Sequence, residues 1–248
     1  MKLTEAIEIR RSRRKYLGTS IDPGIASKLR ELIAEYNMVG GIRMELVLDN
    51  GEAFRGFRKS YGMFSGVNDY VALIADKDDS TAIEKLGYYG ELLVLHTTAM
   101  GLGSCWVGMG GDRDFQISDN ETLVCTIILG NTNEKDSLKE KLIRGIAHRK
   151  TKSAKEMSAI DGPVPGWFMQ GMKAVEKAPS AMNGQPVTFS YKAGKITASV
   201  KTGSSGFAKF VSGLLDLDLG IAKLHFELGA GGGTWEWGND GEFVRQSS

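Results

Sequence analysis

The apolar positions of the chain fall into two periods, and these set out its elements in order. Leu3, Ala6 and Ile7, with a weaker Ile9, share one face of a short amphipathic helix predicted over 3–14, with Thr4 as candidate cap. It ends in the run Arg10-Arg11-Ser12-Arg13-Arg14-Lys15. Asp22-Pro23 opens a second helix with an Ile25/Leu29/Leu32/Ile33 stripe, and Gly40-Gly41 breaks it. Residues 44–48 read as a strand that turns at Asp49-Asn50-Gly51, and 70–75 as a buried one. Residues 81–102 predict a long helix, apolar on most faces, which belongs in the middle of a domain or at a large interface. A glycine-rich stretch over 101–111 follows, then a buried strand over 121–129. The charged residues 132–162 predict at least one solvated helix and a crossing into a second part.

That second part repeats the order in shorter form. It predicts a helix over 167–177, two strands hinged at Ala193-Gly194, a long helix over 206–228 and a closing strand over 235–244. Sliding the chain by about 129 positions superposes Leu95 on Leu224, His96 on His225, Gly103 on Gly232 and Trp106 on Trp235. A duplicated fold is the expectation, with an ordinary α+β domain and chance similarity as the alternative. The division falls into a first copy over 1–160 and a shorter second copy over 161–248, packed as one globular unit.

Composition narrows the classes. The 248 residues, 42% hydrophobic and 25% charged, are ordinary globular make-up. A net charge of +1 argues against a general polyanion binder, so no nucleic-acid partner is expected. No apolar run reaches the ~18–20 residues of a membrane span, and the start lacks a secretion signal. Cys105 and Cys125 sit in apolar flanks that fit a reduced, cytoplasmic protein. There is no CxxC pair, and His96, His148 and His225 are scattered, so no metal site is expected.

Three segments could carry chemistry. The basic run offers forked donors suited to an oxyanion; a solvated charged turn or a nucleic-acid patch is the bland alternative. The stretch Ala178-Pro179-Ser180-Ala181-Met182-Asn183-Gly184-Gln185-Pro186 sets hydrogen-bonding side chains on a stiffened turn, as the edge of a planar heteroaromatic needs, or is a helix-to-strand turn with ordinary polar decoration. The glycines of 101–111 let backbone approach a flat ligand, or form a flexible turn that packs Trp106; they match neither a Rossmann fingerprint nor a P-loop. Residues 51–66 read equally as a partial lid and as a surface loop.

Together these segments resemble the FMN-dependent nitroreductase family. Arg10 to Tyr16 is similar to its N-terminal RRSxRxF motif, and the stretch from Ala178 to Pro186 to its APSxxNxQPW motif. Gly90-Glu91-Leu92-Leu93 through Gly101-Leu102-Gly103-Ser104-Cys105-Trp106-Val107-Gly108 resembles its central helix and the turn after it. The order departs from the family. Its APSxxN motif normally precedes the central helix, where this chain has Tyr36-Asn37-Met38-Val39-Gly40-Gly41 instead. Usual members are homodimers with FMN at the interface, built from the arginine cluster of one subunit and the Pro-Ser segment of the other.

The resemblance therefore implies an α+β, nitroreductase-like fold of mostly antiparallel sheets flanked by helices around a buried central helix, internally duplicated as a pseudo-dimer. One site would survive and its mirror would be inactive, so a monomer suffices. Arg10, Ser12 and Arg14, with Arg11 in the same cluster, would hold the FMN phosphate and ribityl chain, joined by Arg149 and Lys150. Pro179, Ser180 and Asn183 would lie along the flavin ring, and the backbone at Gly108 and Met109 would face its N5 and O4. No side chain is assigned as catalytic acid or base, because the flavin carries the electron chemistry. The implied activity is ping-pong hydride transfer from NAD(P)H to a small electron-poor acceptor such as a nitroaromatic or quinone. A flavin-binding module without turnover is the alternative.

Overall fold

The computed structural model describes residues 1–55, 62–108, 117–133, 151–200 and 206–246, with the backbone alone for 206–213. Helix α1 (Leu3–Ile9) starts where the Lys2 N–H donates to the Glu5 carboxylate at 3.0 Å. It is shorter than the predicted 3–14. The chain turns extended at Arg10 (φ −56°, ψ 132°), and the basic run gives its backbone to a strand instead of a helix. Helix α2 (Pro23–Gly40) begins as its sequence dictates, the Asp22 carboxylate accepting the Gly24 and Ile25 N–H groups. Gly41 ends it in the left-handed region at φ 59°.

Strands β1 (Arg43–Val47) and β2 (Asp69–Asp76) follow, then the central helix α3 (Ala82–Ala99), β3 (Gly103–Val107) and β4 (Glu121–Gly130). The sheet order is β1-β2-β4-β3, antiparallel throughout. The glycine-rich stretch thus begins as an edge strand rather than a turn. At Gly103 a Cβ would lie 2.4 Å from Thr132 Cγ2 and 2.9 Å from Arg13 Cγ, so only glycine lets the arginine cross the strand. Of the ambiguous stretch 51–66, Ala53 and Phe54 are buried in a 3-10 turn, and 56–61 lie outside the described residues.

The second sheet reaches back across the expected boundary at 160, because β5 (Ser158–Ile160) pairs with β6 (Val187–Lys192); with them come α4 (Gly166–Val175), β7 (Lys195–Val200), α5 (Gly206–Ala230), β8 (Thr234–Trp235) and β9 (Gly241–Val244). The helix predicted within 132–162 falls largely on 134–150, outside the described residues; residues 151–162 hold turns and β5. The single closing strand is in fact two, folded back where Gly238 (φ 99°) and Asp240 (φ 62°) take left-handed geometry. The order here is β5-β6-β7-β9-β8. With parallel β5 set aside, β6-β7-β9-β8 repeats β1-β2-β4-β3 strand for strand, each half placing its long helix between its second and third strands.

Among the described residues the largest apolar cores lie around Leu73, Leu86 and Leu93 in the first half and around Phe168, Phe189 and Phe226 in the second. The long helices α3 and α5 cross between them. A Cβ on Gly87 would lie 2.1 Å from the Leu217 carbonyl oxygen, and one on Gly220 would lie 1.9 Å from that of Glu84. Each glycine meets the carbonyl three residues before the other glycine, so the crossing is two-fold symmetric. Its symmetry pairs residues 133 apart (Gly87 with Gly220, Glu84 with Leu217), whereas Trp106 and Trp235 are 129 apart. The offset of 129 read from the sequence thus differs from that of the crossing by four residues, about one helical turn.

Candidate functional site

The basic run lies along the outer edge of β3. Ser12 bridges to Ser104, and the Arg13 N–H donates to the Ser104 carbonyl at 2.8 Å. On its other side the Tyr16 N–H donates to the Ser65 carbonyl at 2.9 Å, and the Ser65 N–H to the Arg14 carbonyl at 3.1 Å. Extended backbone alternates faces. Arg13 turns inward, buried, its Nη1 donating to Thr132 Oγ1 at 3.0 Å. Ser12 and Arg14 share the other side, half-buried, with Arg14 Nη1 donating to the Ser12 carbonyl at 3.3 Å; Arg11 is exposed. Arg13 is thus the pin of the run, a role its sequence neighbours hide.

Arg10 sits where α1 ends. Its Nε is buried and makes no hydrogen bond; its nearest partner is Glu91 Oε1 at 3.7 Å, an ion-pair distance too long for a hydrogen bond. Glu91, on α3, is fully buried. Its Oε2 accepts the Trp106 indole N–H at 2.8 Å, and its Oε1 lies 3.0 Å from His225 Nε2 on α5. His225 Nδ1 in turn lies 3.1 Å from the Ala174 carbonyl. A carbonyl can only accept, so Nδ1 is the donor to Ala174. Sequence reasoning missed this pair. Its one signal was a glutamate inside a helix apolar on nearly every face.

The turn after α4 is strained and pinned. Met182 and Asn183 both have φ 52°, and Gln185 has φ 42°, geometry that side chains other than glycine adopt only when held. The Ala181 N–H donates to both Asp218 oxygens, at 3.0 and 3.2 Å, and the Gln185 N–H to Ser180 Oγ at 2.9 Å. Gln185 Oε1 accepts the Lys152 N–H at 2.6 Å, while its carbonyl accepts Lys152 Nζ at 2.7 Å. Beneath Pro179 and Ser180 is a cavity of about 10 Å³, the size of one water, reaching Asp218. Burial pushes the Asp218 carboxyl up to about 7. Met182 stands exposed at the apex with Asn183 half-buried beside it.

Both segments fasten to the same helix pair. Lys177 and Glu8 form an ion pair, joining the chain two residues before Pro179 to the chain two residues before Arg10. Gly108, exposed at the end of β3, approaches Leu214 of α5, which lies one turn from Asp218 and hence on the same side of that helix. Met109, Arg149 and Lys150 lie outside the described residues.

A protein-family model described as "Putative TM nitroreductase" matches residues 2–230. The chain belongs to this nitroreductase family. The crystal structure of a "putative nitroreductase" from Thermotoga maritima is similar over 99% of this chain and 93% of its own, with TM-score 0.63 at 18% identity, a likeness of fold. An "FMN-dependent Nitroreductase" from Clostridium difficile covers 59% of this chain and 98% of its own, at 18% identity and TM-score 0.43. A "putative nitroreductase in complex with fmn" from Desulfovibrio desulfuricans covers 58% and 96%, at 16% identity and TM-score 0.40. No curated protein matches the chain.

In this nitroreductase-family chain the two ends of the helix crossing differ. Gly108 stands two residues after Trp106; two residues after Trp235 stands Trp237. The Trp237 ring packs against Tyr88 at 5.5 Å and Tyr89 at 6.3 Å, and Tyr89 against Tyr36 at 5.7 Å. Below them the fully buried Lys223 binds Glu84 at 2.6 Å and the carbonyls of Glu236 and Gly238, each at 2.9 Å. Where one end presents the exposed backbone of Gly108, the other is filled by Trp237 packed on tyrosines of the first half. Among the described residues no metal-binding cluster occurs, and no helix is long and apolar enough to cross a membrane.

Proposed function

We propose that the chain is a single-chain pseudo-dimer that binds one FMN and uses NAD(P)H to reduce electron-poor small molecules, with nitroaromatics and quinones as the substrate class. One observation carries this reading. The basic run of the first half and the Pro179–Asn183 turn of the second fasten to the same two helices, through Arg10–Glu91–His225–Ala174, Glu8–Lys177 and Ala181–Asp218. A ligand between them would be held by both halves, as a flavin is held by two subunits in a dimeric relative.

The residues present fit a phosphorylated flavin. Arg10 keeps a buried Nε without a hydrogen bond, and its terminal nitrogens make none with the described residues, leaving a forked donor for an oxyanion. Ser12 and Arg14 share one side of the same extended run and would take the rest of the phosphate and the ribityl hydroxyls. Gly108 offers exposed backbone without a side chain, suited to a flat ring edge, and Ser180 and Asn183 would line the ring from the other half. Bound there, FMN supplies the two-electron chemistry; the protein binds, orients and excludes water. Arg11, Met109, Arg149 and Lys150 belong to the same proposal as further phosphate and ring contacts.

The absorbance spectrum of the purified protein, before and after anaerobic NADH or NADPH, tests it. Flavin bands at one FMN per chain, bleached by either nucleotide, support a reductase. Bands that do not bleach leave a flavin-binding module. A colourless protein that cannot be reconstituted with FMN ends the proposal.

A further inference from the structure

We infer that Glu91 and His225 are positioning residues that hold Arg10 for the flavin phosphate and lock the two halves of the site in register; this rests on the reading above. Both side chains are completely buried, and an ion pair there is weak evidence for stability, since burying the charges offsets much of their attraction. The helix crossing sets apolar residues at the equivalent positions. Its two-fold relation, which pairs residues 133 apart, carries Glu91 onto Leu224 and His225 onto Leu92. Those two leucines lie in one apolar cluster with Ala6 and Ile7 of α1 and Ala174 of α4. Leucines thus occupy the symmetry-equivalent positions right beside the acid–imidazole pair, and the pair is the one whose Glu91 stands 3.7 Å from Arg10 Nε.

What the pair touches explains its place there. Glu91 Oε2 fixes Trp106, on the strand whose Ser104 pairs with Ser12 and Arg13. Its Oε1 stands 3.7 Å from Arg10 Nε, near enough to steer the guanidinium by charge while its other N–H groups stay uncommitted. His225 Nδ1 reaches the Ala174 carbonyl, in the last turn of α4, four residues before Ala178 and the Pro-Ser turn. The imidazole also occupies Glu91 Oε1. Without His225 that oxygen would have Arg10 as its nearest partner, draw the guanidinium onto itself and repel a phosphate arriving beside it.

Because the effect runs through the phosphate, FMN and riboflavin report on it differently. Dissociation constants for both flavins are measured by fluorescence quenching in the wild type, His225→Leu, the double variant Glu91→Leu/His225→Leu, Arg10→Ala, and Arg10→Ala combined with His225→Leu. His225→Leu is expected to weaken FMN by about tenfold or more, the scale of one charge-assisted contact, with riboflavin unchanged. The double variant, which copies the leucines of the symmetry-equivalent positions, is expected to melt within a few degrees of the wild type yet bind FMN weakly. In the Arg10→Ala background His225→Leu should add nothing, as expected of residues acting through one partner. Equal losses for FMN and riboflavin, full additivity with Arg10→Ala, or wild-type FMN affinity in His225→Leu overturns the inference and leaves the flavin reading standing. A wild type that binds neither flavin removes both.

Discussion

The carboxylate of Asp218 grips the N–H of Ala181 with both of its oxygens, at 3.0 and 3.2 Å, and does so from a buried position on the crossing helix. The strained Met182–Asn183 turn is thus held from below by a group that titrates near neutrality. Burial raises the Asp218 carboxyl from its ordinary 3.8 to about 7. Between those two values the folded protein keeps a proton that the unfolded chain releases. The contribution to stability is therefore full below about pH 4 and is lost as pH rises through about 7. A shift of this size corresponds to roughly a few kcal/mol at most. Glu227, pushed up to about 7 mainly by burial, adds a slope of the same sign. Asp218→Asn keeps an acceptor for Ala181 and removes the titration, so urea midpoints at pH 5 and pH 7.5 should differ less in the variant than in the wild type. An unaltered difference would mean that Asp218 does not titrate in this range.

At the helix crossing, Gly87→Ala and Gly220→Ala should each destabilise the protein, and to a similar extent. Each new methyl would land within 2.1 Å or 1.9 Å of a backbone carbonyl oxygen, which cannot swing aside as a side chain end can. Separating two packed helices to admit it costs at least about 1–3 kcal/mol. Gly101→Ala is the control: it meets nothing within 4 Å and carries only the strain of φ 85°. Thermal melting decides, and a wild-type midpoint in either crossing variant would contradict the close approach.

What the chain disclosed on its own was local. Asp22-Pro23 and Gly41 bound α2 because caps act within a few residues, and the apolar run of β2 is buried because its side chains have nowhere else to go. The three motif segments were visible as residue types. Their arrangement was not. The basic run follows an extended path because the edge of β3, ninety positions away, offers it carbonyls and N–H groups. The offset of 133 at the crossing is set by its glycine contacts, which no comparison along the sequence weighs. Glu91 and His225 looked unrelated because their relation exists only where α3 meets α5.

In the proposed site, Arg10→Ala and Arg14→Ala should each weaken FMN by ~1.5–3 kcal/mol, the worth of a charge-assisted contact to phosphate. Asn183→Ala should weaken it by about 1 kcal/mol, as a neutral contact from the other half. Retained flavin measured after exhaustive dialysis separates the outcomes. Full retention in both arginine variants would sink the phosphate assignment; an unaffected Asn183→Ala would argue against a site shared between halves.

Stoichiometry tests whether the second half carries a site of its own. Trp237 stands where the first half has Gly108, and its indole, with Tyr88 and Tyr89, fills the space beside the backbone. At Gly40, in the place where the family resemblance would put a Pro-Ser segment, a Cβ would lie 2.7 Å from Tyr89 Cε2, so the turn there is closed onto the same rings. A flat ligand entering this side would have to displace an aromatic cluster packed edge-on and tilted against itself, and no arginine run waits for its phosphate. Titration with FMN should therefore saturate at one equivalent per chain, with no second, weaker phase. Trp237→Gly should leave that number at one, because removing the plug restores space without restoring the donors. Two equivalents in the wild type would show that the aromatic side binds flavin by some other set of contacts. A second equivalent appearing only in Trp237→Gly would mean that the indole alone keeps the two halves unequal.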